Sequence, residues 1–220
     1  MKTAITITAG LALAGSALAQ SSIRPDAKFA WSENIGWTNW RDANAATSGV
    51  RVHPRFLSGF IWAENVGWIN VGDGSPADCL QYSNATGADT GVNILPNGEL
   101  TGLAWGENVG WINFDTRSAL GLMGMQARFD LALRRFRGWA WGENVGWINL
   151  DDETHALRAT PTCLGDVDQN GVVNFSDLNQ VLSSFNASGD CILGDTNGDG
   201  VTNFEDLNNV LSYFNLNCPE

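Results

Sequence analysis

The segment WGENVGWIN, residues 141–149, also occurs at residues 105–113, and near-copies lie at residues 62–70 and 31–39. Eight of the ten tryptophans of the chain fall within these four copies. A short segment that recurs along a chain is typical of one structural unit used several times. We therefore expect the four copies to determine the fold of the N-terminal part of the protein.

Each copy has the pattern of a β-hairpin. In the copy at residues 105–113, Trp105 and Trp111 flank a short polar segment, and a reversal centred on Asn108 would place the two indoles opposite each other. Asn and Gly suit such a reversal because both tolerate positive φ, and the flanking segments are rich in strand-forming residues. Regular repetition at paired strand positions predicts that these tryptophans belong to the core.

Two polar residues recur in every reversal. We expect both to cap their own turn through bonds from side chain to backbone. They are Glu33, Glu64, Glu107 and Glu143, and Asn34, Asn65, Asn108 and Asn144.

Strand-like segments before the later copies extend each unit to a three-stranded antiparallel meander of about 36 residues. The first copy lacks its opening strand, whereas a spare strand-like segment at residues 155–160 follows the last copy. If that segment supplies the missing strand, the four units form a closed all-β body without exposed edges. The alternative is an open row of hairpins.

The composition divides the chain into three parts. Residues 1–19 have the basic start, apolar stretch and small-residue cleavage pattern of a secretory signal peptide, so we expect a secreted or cell-surface protein. Residues 20–160 form the mainly β repeat domain. Residues 161–220 form a small α-helical domain that contains nine acids and, from Cys163 onward, no Lys, Arg or His.

The net charge of −12 argues against nucleic acid as a partner, because phosphate backbones are bound through Lys and Arg. No segment after residue 19 has the length and apolar character that a membrane span needs.

Two twelve-residue segments of the acidic tail, residues 166–177 and 195–206, have the pattern of calcium loops. Such a loop offers oxygens at positions 1, 3, 5, 7, 9 and 12, and a glycine at position 6 permits the sharp bend. The predicted ligands of two Ca²⁺ ions are Asp166, Asp168, Asn170, the Val172 carbonyl, Asn174 and Asp177, then Asp195, Asn197, Asp199, the Val201 carbonyl, Asn203 and Asp206.

Each loop is followed by the same helical pattern, with apolar residues at i, i+3, i+4 and i+7. These are Leu178, Val181, Leu182 and Phe185, and Leu207, Val210, Leu211 and Phe214. No helix fits before either loop, so we expect two loop-and-helix halves packed face to face. Because the acids repel one another without a cation, folding of this tail should require calcium.

Residues 163–218 resemble a dockerin domain, the calcium-dependent module that binds cohesin domains in cellulosome-type assemblies. The resemblance implies the ligand set above and a protein partner, either a cohesin-like domain or a surface protein. Dockerins often carry small hydroxyl residues at loop positions 10 and 11, whereas this chain has Phe175-Ser176 and Phe204-Glu205.

Four cysteines in an exported chain are expected to be oxidised. The twofold pattern of the tail places the end of the second helix beside the start of the first loop, which favours a Cys163–Cys218 disulfide. Cys191 would then be free or joined to Cys79.

Two classes of function remain open for the repeat domain. A non-catalytic module for binding or structure is favoured, because the repeated carboxylates are equivalent turn residues and because His53 and His155 have no partner spacing. The alternative is a component of a polysaccharide-degrading system, either a glycan hydrolase or a carbohydrate-binding module. Unrepeated acids for hydrolysis are Asp42, Asp89, Asp115, Asp151 and Asp152, and Trp40 and Trp139 are candidates for sugar stacking.

Overall fold

A computed structural model of the chain describes residues 21–160, 165–168, 172–189, 192, 194–197 and 199–216. The predicted signal peptide lies outside these residues. Among the described residues, none of the helices has the length and apolar character needed to cross a membrane.

The described part of the chain is mainly β, as predicted. Its strands are β1 (Phe29–Ser32), β2 (Gly36–Asn39), β3 (Arg51–Val52), β4 (Leu57–Ala63), β5 (Gly67–Gly72), β6 (Val92–Ile94), β7 (Leu100–Gly106), β8 (Gly110–Asn113), β9 (Arg128–Asp130), β10 (Arg135–Arg137), β11 (Trp139–Gly142) and β12 (Gly146–Asn149). Its helices are α1 (Arg117–Leu120), a 3₁₀ turn at Gly121–Met123, α2 (Phe175–Ser183) and α3 (Phe204–Ser212).

The four copies of the repeat form four hairpins that close into an eight-stranded antiparallel barrel. The strands follow one another around the barrel in the order β1, β2, β4, β5, β7, β8, β11 and β12. The pairs β2–β4 and β1–β12 complete the circle. Of the two alternatives, the structure has the closed one, and the repeated hairpins themselves close the barrel.

The spare C-terminal segment has a smaller part than predicted. Ala159 bridges to Ile23, and Arg158 bridges to Arg135, outside the circle of eight strands. The short strands β3 and β6 pair with the first halves of β4 and β7, which gives the units at β3–β5 and β6–β8 their meander form. The fourth unit instead has β9 and β10 as a separate two-stranded sheet.

The hairpin turns place the paired tryptophans opposite each other, as predicted. In the third hairpin Trp105 pairs with Trp111 and Gly106 with Gly110, which leaves a three-residue loop. The positive φ lies at Gly110, at +74°, and not at the preceding asparagine. A three-residue loop that ends in a left-handed glycine is a common hairpin geometry, and it explains why every copy has glycine at this position.

The turn asparagines do not cap their own turns, so that prediction is wrong. Each side-chain amide instead donates to a carbonyl in the turn of the neighbouring hairpin, at 2.9–3.1 Å. The four bonds form a closed ring: Asn34 to Val145, Asn144 to Val109, Asn108 to Val66, and Asn65 to Ile35. This asparagine ring connects the four hairpin tips around one end of the barrel. The turn glutamates are exposed.

The eight repeated tryptophans lie on the outer face of the barrel, so the prediction that they belong to the core is wrong. They are exposed and contact each other in four pairs with ring centroids 4.6–4.9 Å apart. Because side chains alternate across a strand, the residues beside them point inward. The inward positions hold smaller side chains, which is what a narrow eight-stranded barrel can accommodate.

The interior is filled in layers from one end of the barrel to the other. The tip layer consists of Ile35, Val66, Val109 and Val145, and the opposite layer consists of Trp40, Val71, Phe114 and Leu150. Trp40 is 1% exposed, packs on Phe114 and Phe136, and donates its indole N–H to Thr38 Oγ1 at 3.2 Å. The prediction that Trp40 stacks on a sugar is therefore wrong.

The long connection between β5 and β6 is an ordered surface loop. Tyr82 is buried at its centre, and the Asn93 side chain bonds both the N–H and the carbonyl of Tyr82 at 2.8 Å. Cys79 in this loop is disulfide-bonded. The other three cysteines, and with them the predicted Cys163–Cys218 pairing, lie outside the described residues.

Candidate metal centre

The first calcium-type loop brings three carboxylates together. Carboxylate oxygens of Asp166, Asp168 and Asp177 all lie within 4.8 Å of one another. Asp177 is buried, whereas the other two are partly exposed. Three negatively charged oxygen groups at this spacing repel one another strongly unless a cation lies between them.

Asp177 also closes the loop from behind. Its Oδ1 accepts from the Val167 and Asp168 backbone N–H groups at 2.7 and 3.2 Å, and its Oδ2 accepts from the Asn174 N–H at 2.9 Å. Asp177 is the third residue of α2, and the Asn174 side chain accepts from the Ser176 N–H at 2.7 Å. This reciprocal pair is a capping box, so the acid at position 12 both closes the loop and starts the helix.

The second loop repeats this arrangement. Asp206 accepts from the backbone N–H groups of Thr196, Asn197 and Asn203 at 2.7, 3.3 and 2.8 Å, and Asn203 caps α3 through the Glu205 N–H. Burial raises the pKa of Asp206, but the bonds from Asn203 and Thr196 outweigh it and lower that pKa below its ordinary value. A lowered pKa favours the ionised carboxylate, which is the form that binds a metal ion.

The two loops differ in how their remaining acids are oriented. In the second loop Asp195 accepts from the Asp199 and Gly200 N–H groups at 3.2 and 2.8 Å, and Asp199 accepts from the Val201 N–H at 2.8 Å. Asn197 replaces the acid at position 3 and donates to Asp199 Oδ2 at 3.1 Å. Among the described residues, only the first loop brings three acids within 4.8 Å.

Other predicted ligands have a structural role or lie outside the described residues. Asn174 and Asn203, at position 9, are the caps of their helices. The Val172 carbonyl accepts from the Asn174 side chain at 3.3 Å, and Val201 bridges to Ser188. Asn170 lies outside the described residues.

The two halves of the tail form reciprocal backbone hydrogen bonds, with approximate twofold symmetry. The Val173 N–H donates to the carbonyl of Leu216, after α3, whereas the Asn186 N–H, after α2, donates to the carbonyl of Thr202. Each loop is thus bonded to the end of the helix that follows the other loop. Folding of one half consequently supports the other.

The glycine before each loop allows the two halves to approach each other closely. A Cβ on Gly165 would lie 2.7 Å from Val210 Cα, and a Cβ on Gly194 would lie 2.8 Å from Val181 Cα. Only glycine allows backbone and helix to approach this closely. The repeated Gly-Asp pair at the start of both loops was the sequence signal for this contact.

The helices bury less than their sequence pattern predicts. Val181 and Val210 are fully buried together with Val173, but Leu182 and Leu211 are exposed. Among the described residues of the tail, the fully buried apolar side chains are these three valines.

The donors of the first loop fit a hard divalent cation. The oxygens of Asp166, Asp168 and Asp177 are the ligand type that Ca²⁺ and Mg²⁺ prefer, whereas zinc sites are built mainly from Cys and His.

Comparisons with family models, with curated proteins and with solved structures return no match for the chain. The geometry of the two loops and of the barrel surface therefore carries the functional argument.

Proposed function

We propose that the protein is a secreted, non-catalytic module with two parts. A calcium-dependent tail docks to another protein, and the barrel binds a ligand or has a structural role. The observation that carries the proposal is the group of three carboxylates, Asp166, Asp168 and Asp177, within 4.8 Å of one another in a loop that starts a helix. Ca²⁺ bound there would relieve their repulsion and hold the loop against both helices.

The charge of the tail supports calcium as a condition for folding. From Cys163 onward the chain contains nine acids and no Lys, Arg or His to neutralise them. Two Ca²⁺ ions would bring four positive charges to the two loops. Because metal binding to such loops is coupled to folding, its free energy would add directly to the stability of the tail.

The outer surface of the helices supports docking. Phe175 and Phe204, at position 10 of the two loops, are 67% and 69% exposed, and Leu182 and Leu211 are exposed on the same two helices. Each phenylalanine packs edge to face on the phenylalanine that follows the opposite helix, at 4.9 and 5.0 Å. This paired apolar surface, together with the resemblance to dockerins, favours a protein partner such as a cohesin-like domain.

The barrel carboxylates do not favour the hydrolase alternative. The side-chain hydrogen bond from Arg117 lowers the pKa of Asp115, and backbone N–H groups lower the pKa values of Asp89 and Asp152. For Asp42, bonds from Asn39 and Lys28 outweigh the effect of burial and lower the pKa as well. A glycosidase requires one carboxyl group with a raised pKa to act as general acid.

Asp151, the remaining candidate acid, forms ion pairs with Arg135 and Arg137 at 2.6 and 3.2 Å. His155 contacts Asp152 at 3.1 Å and packs on Trp37, and His53 bonds Ser58 Oγ at 2.9 Å. These groups are engaged in structural contacts, which supports a non-catalytic barrel.

Calorimetric titration of the full chain with Ca²⁺ tests the proposal. We expect two ions to bind, and we expect Asp166→Asn and Asp195→Asn each to weaken binding at both sites, because the halves support each other. Asp151→Asn, an acid of the barrel, is the matched control and should leave binding unchanged. Absence of calcium binding by the unmodified chain, or equal binding by Asp166→Asn, would contradict the proposal.

A further inference from the structure

The outer face of every hairpin carries the same square of four side chains, which we call a tile. Across each hairpin the two tryptophans face each other. The next cross-strand pair on the outer face, two residues farther from the turn, consists of an apolar residue and an asparagine. The apolar residues of tiles one to four are Phe29, Phe60, Leu103 and Trp139, and the asparagines are Asn39, Asn70, Asn113 and Asn149. Trp139 thus occupies a repeated position that the sequence did not reveal.

The third tile lies in an open cleft of about 270 Å³. Leu103, Trp105 and Trp111 of this tile form its floor, Asn70 of the neighbouring hairpin lies beside Trp105, and Gly87 and Thr90 of the long surface loop form one wall. Trp105 and Trp111 are 43% and 45% exposed, and together they form the most exposed of the four tryptophan pairs.

The other tiles have different surroundings. In the first tile His155 lies on Trp37, with ring centroids 4.5 Å apart. In the second tile the Phe60 ring packs edge to face on Trp68 at 5.9 Å. The cleft beside the fourth tile is smaller, about 170 Å³, and is lined by the Arg137–Asp151 ion pair.

The cleft of the third tile is built in advance of any ligand. The Asn84 side chain accepts from the Gly91 and Leu103 N–H groups at 3.2 Å, and Asp89 accepts from the Ser83 N–H at 2.9 Å. These bonds hold the loop that carries Thr90 against strand β7. A wall held in this way costs a ligand little conformational entropy on binding.

The chemistry of the lining indicates what would bind. All six lining residues are uncharged, and they combine two exposed indole rings with an amide and a hydroxyl group. Asn70 Oδ1 accepts from the Gly72 N–H at 2.8 Å, so its NH₂ group is the part that can donate to a ligand. The Thr90 hydroxyl donates to the Thr86 carbonyl at 2.7 Å, so its oxygen can accept.

A pyranose ring matches this combination. It presents an apolar C–H face that stacks on an aromatic ring, and its hydroxyl groups both donate and accept at the ring edge.

We infer that the cleft formed by Trp105, Trp111, Asn70 and Thr90 is a binding site for a neutral saccharide. The inference deepens the ligand-binding role proposed above for the barrel, and it does not depend on calcium in the tail.

Titration calorimetry of the full chain with cellohexaose, xylohexaose and mannohexaose tests the inference. We expect at least one of the three to bind with a Kd below about 1 mM, and Trp105→Ala to weaken that binding about tenfold or more. The matched control is Trp31→Ala, which removes the equivalent tryptophan of the first tile and should leave affinity unchanged. Asn70→Ala should also weaken binding, whereas Asn149→Ala should not, because it removes the same kind of turn bond from a residue of the fourth tile.

The inference is overturned if none of the three neutral saccharides binds, or if Trp31→Ala and Trp105→Ala lose affinity equally. Every titration is repeated with chelator in place of Ca²⁺, and the affinity should not change. The far-ultraviolet response of the same samples to Ca²⁺ reports the tail independently. A missing saccharide signal with a normal calcium response therefore counts against the cleft alone, and the opposite result counts against the calcium proposal alone.

Discussion

The barrel and the tail bury apolar surface in different ways. The barrel closes four hairpins on one another, so its strands have partners on both sides and a layered core runs from Ile35 at the tips to Leu150 at the opposite end. In the described part of the tail, two nine-residue helices pack around three buried valines, beside a group of carboxylates that repel one another. The barrel is thus held by packing, whereas we expect the tail to gain stability from a bound cation.

Removal of calcium should give the largest effect, because it should unfold the tail and leave the barrel folded. We expect chelator to abolish the far-ultraviolet signal of α2 and α3, since each site with ligand at a hundredfold excess over Kd contributes about 2.7 kcal/mol to stability. The fluorescence of the eight repeated tryptophans of the barrel should remain nearly unchanged. A tail that keeps its helical signal and its protease resistance in chelator would remove the distinction.

Core truncations should sharpen the comparison. Phe114→Ala, in the buried layer opposite the hairpin tips, should cost the barrel about 3–5 kcal/mol in its free energy of unfolding and leave calcium affinity unchanged. Val181→Ala, between the helices, should cost about 2 kcal/mol and weaken calcium binding, because folding and binding are coupled in the tail. Denaturation followed by tryptophan fluorescence and calcium titration measure the two effects.

If Phe114→Ala reduced calcium affinity as strongly as Val181→Ala does, the two regions would not be independent. A conservative control is Val71→Ile, at an equivalent inward position of the barrel, which should change neither property by as much as either truncation.

The sequence predicted the repeating hairpin, left its closure open, and gave the wrong direction for the tryptophan side chains. A cross-strand pair of tryptophans looks the same in the sequence whether it faces the core or solvent, because a strand pattern has period two on both faces. Barrel radius decides the choice. Eight strands leave room inside for Ala104, Ala140 and Ile112 but not for eight indoles, and this limit appears only once closure is known.

The candidate site was more accessible to prediction because its acids are close together in the sequence. Twelve consecutive residues form the proposed calcium loop, so the grouping of Asp166, Asp168 and Asp177 follows from their spacing alone. What could not be predicted depends on contacts between distant segments. The bonding of each loop to the helix after the other loop, and the cleft between Asn70 and Thr90, arise from tertiary packing.

Acid should affect the barrel through His53. Burial, followed by the charge of Arg51, lowers the pKa of His53 to about 4 from an ordinary value of 6.5. Above pH 6.5 both folded and unfolded states keep the imidazole neutral. Between pH 6.5 and 4 the unfolded state takes up the proton first. The free energy of unfolding therefore decreases as the pH is lowered, by at most about 1.4 kcal/mol per pH unit.

Denaturant unfolding of the barrel at several pH values, compared between the unmodified chain and His53→Gln, measures this contribution. The difference in slope should vanish above pH 6.5. Identical slopes for both proteins below that pH would show that His53 titrates equally in both states. His155→Gln is the control, since His155 lies at the surface against Trp37 and Asp152.

The asparagine ring should give the smallest effect and is the finest test of closure. Asn108 donates to the Val66 carbonyl at 2.9 Å, across two hairpins that are far apart in sequence. One exposed hydrogen bond contributes about 0.5–1.5 kcal/mol, so Asn108→Ala should lower barrel stability by about that amount and leave the tail unaffected. Glu107→Ala, at the exposed neighbour in the same turn, should change stability by less than about 0.5 kcal/mol. Equal effects of the two substitutions in denaturant unfolding would mean that the ring of bonds adds nothing to closure, and that strand pairing and the packed core hold the barrel together.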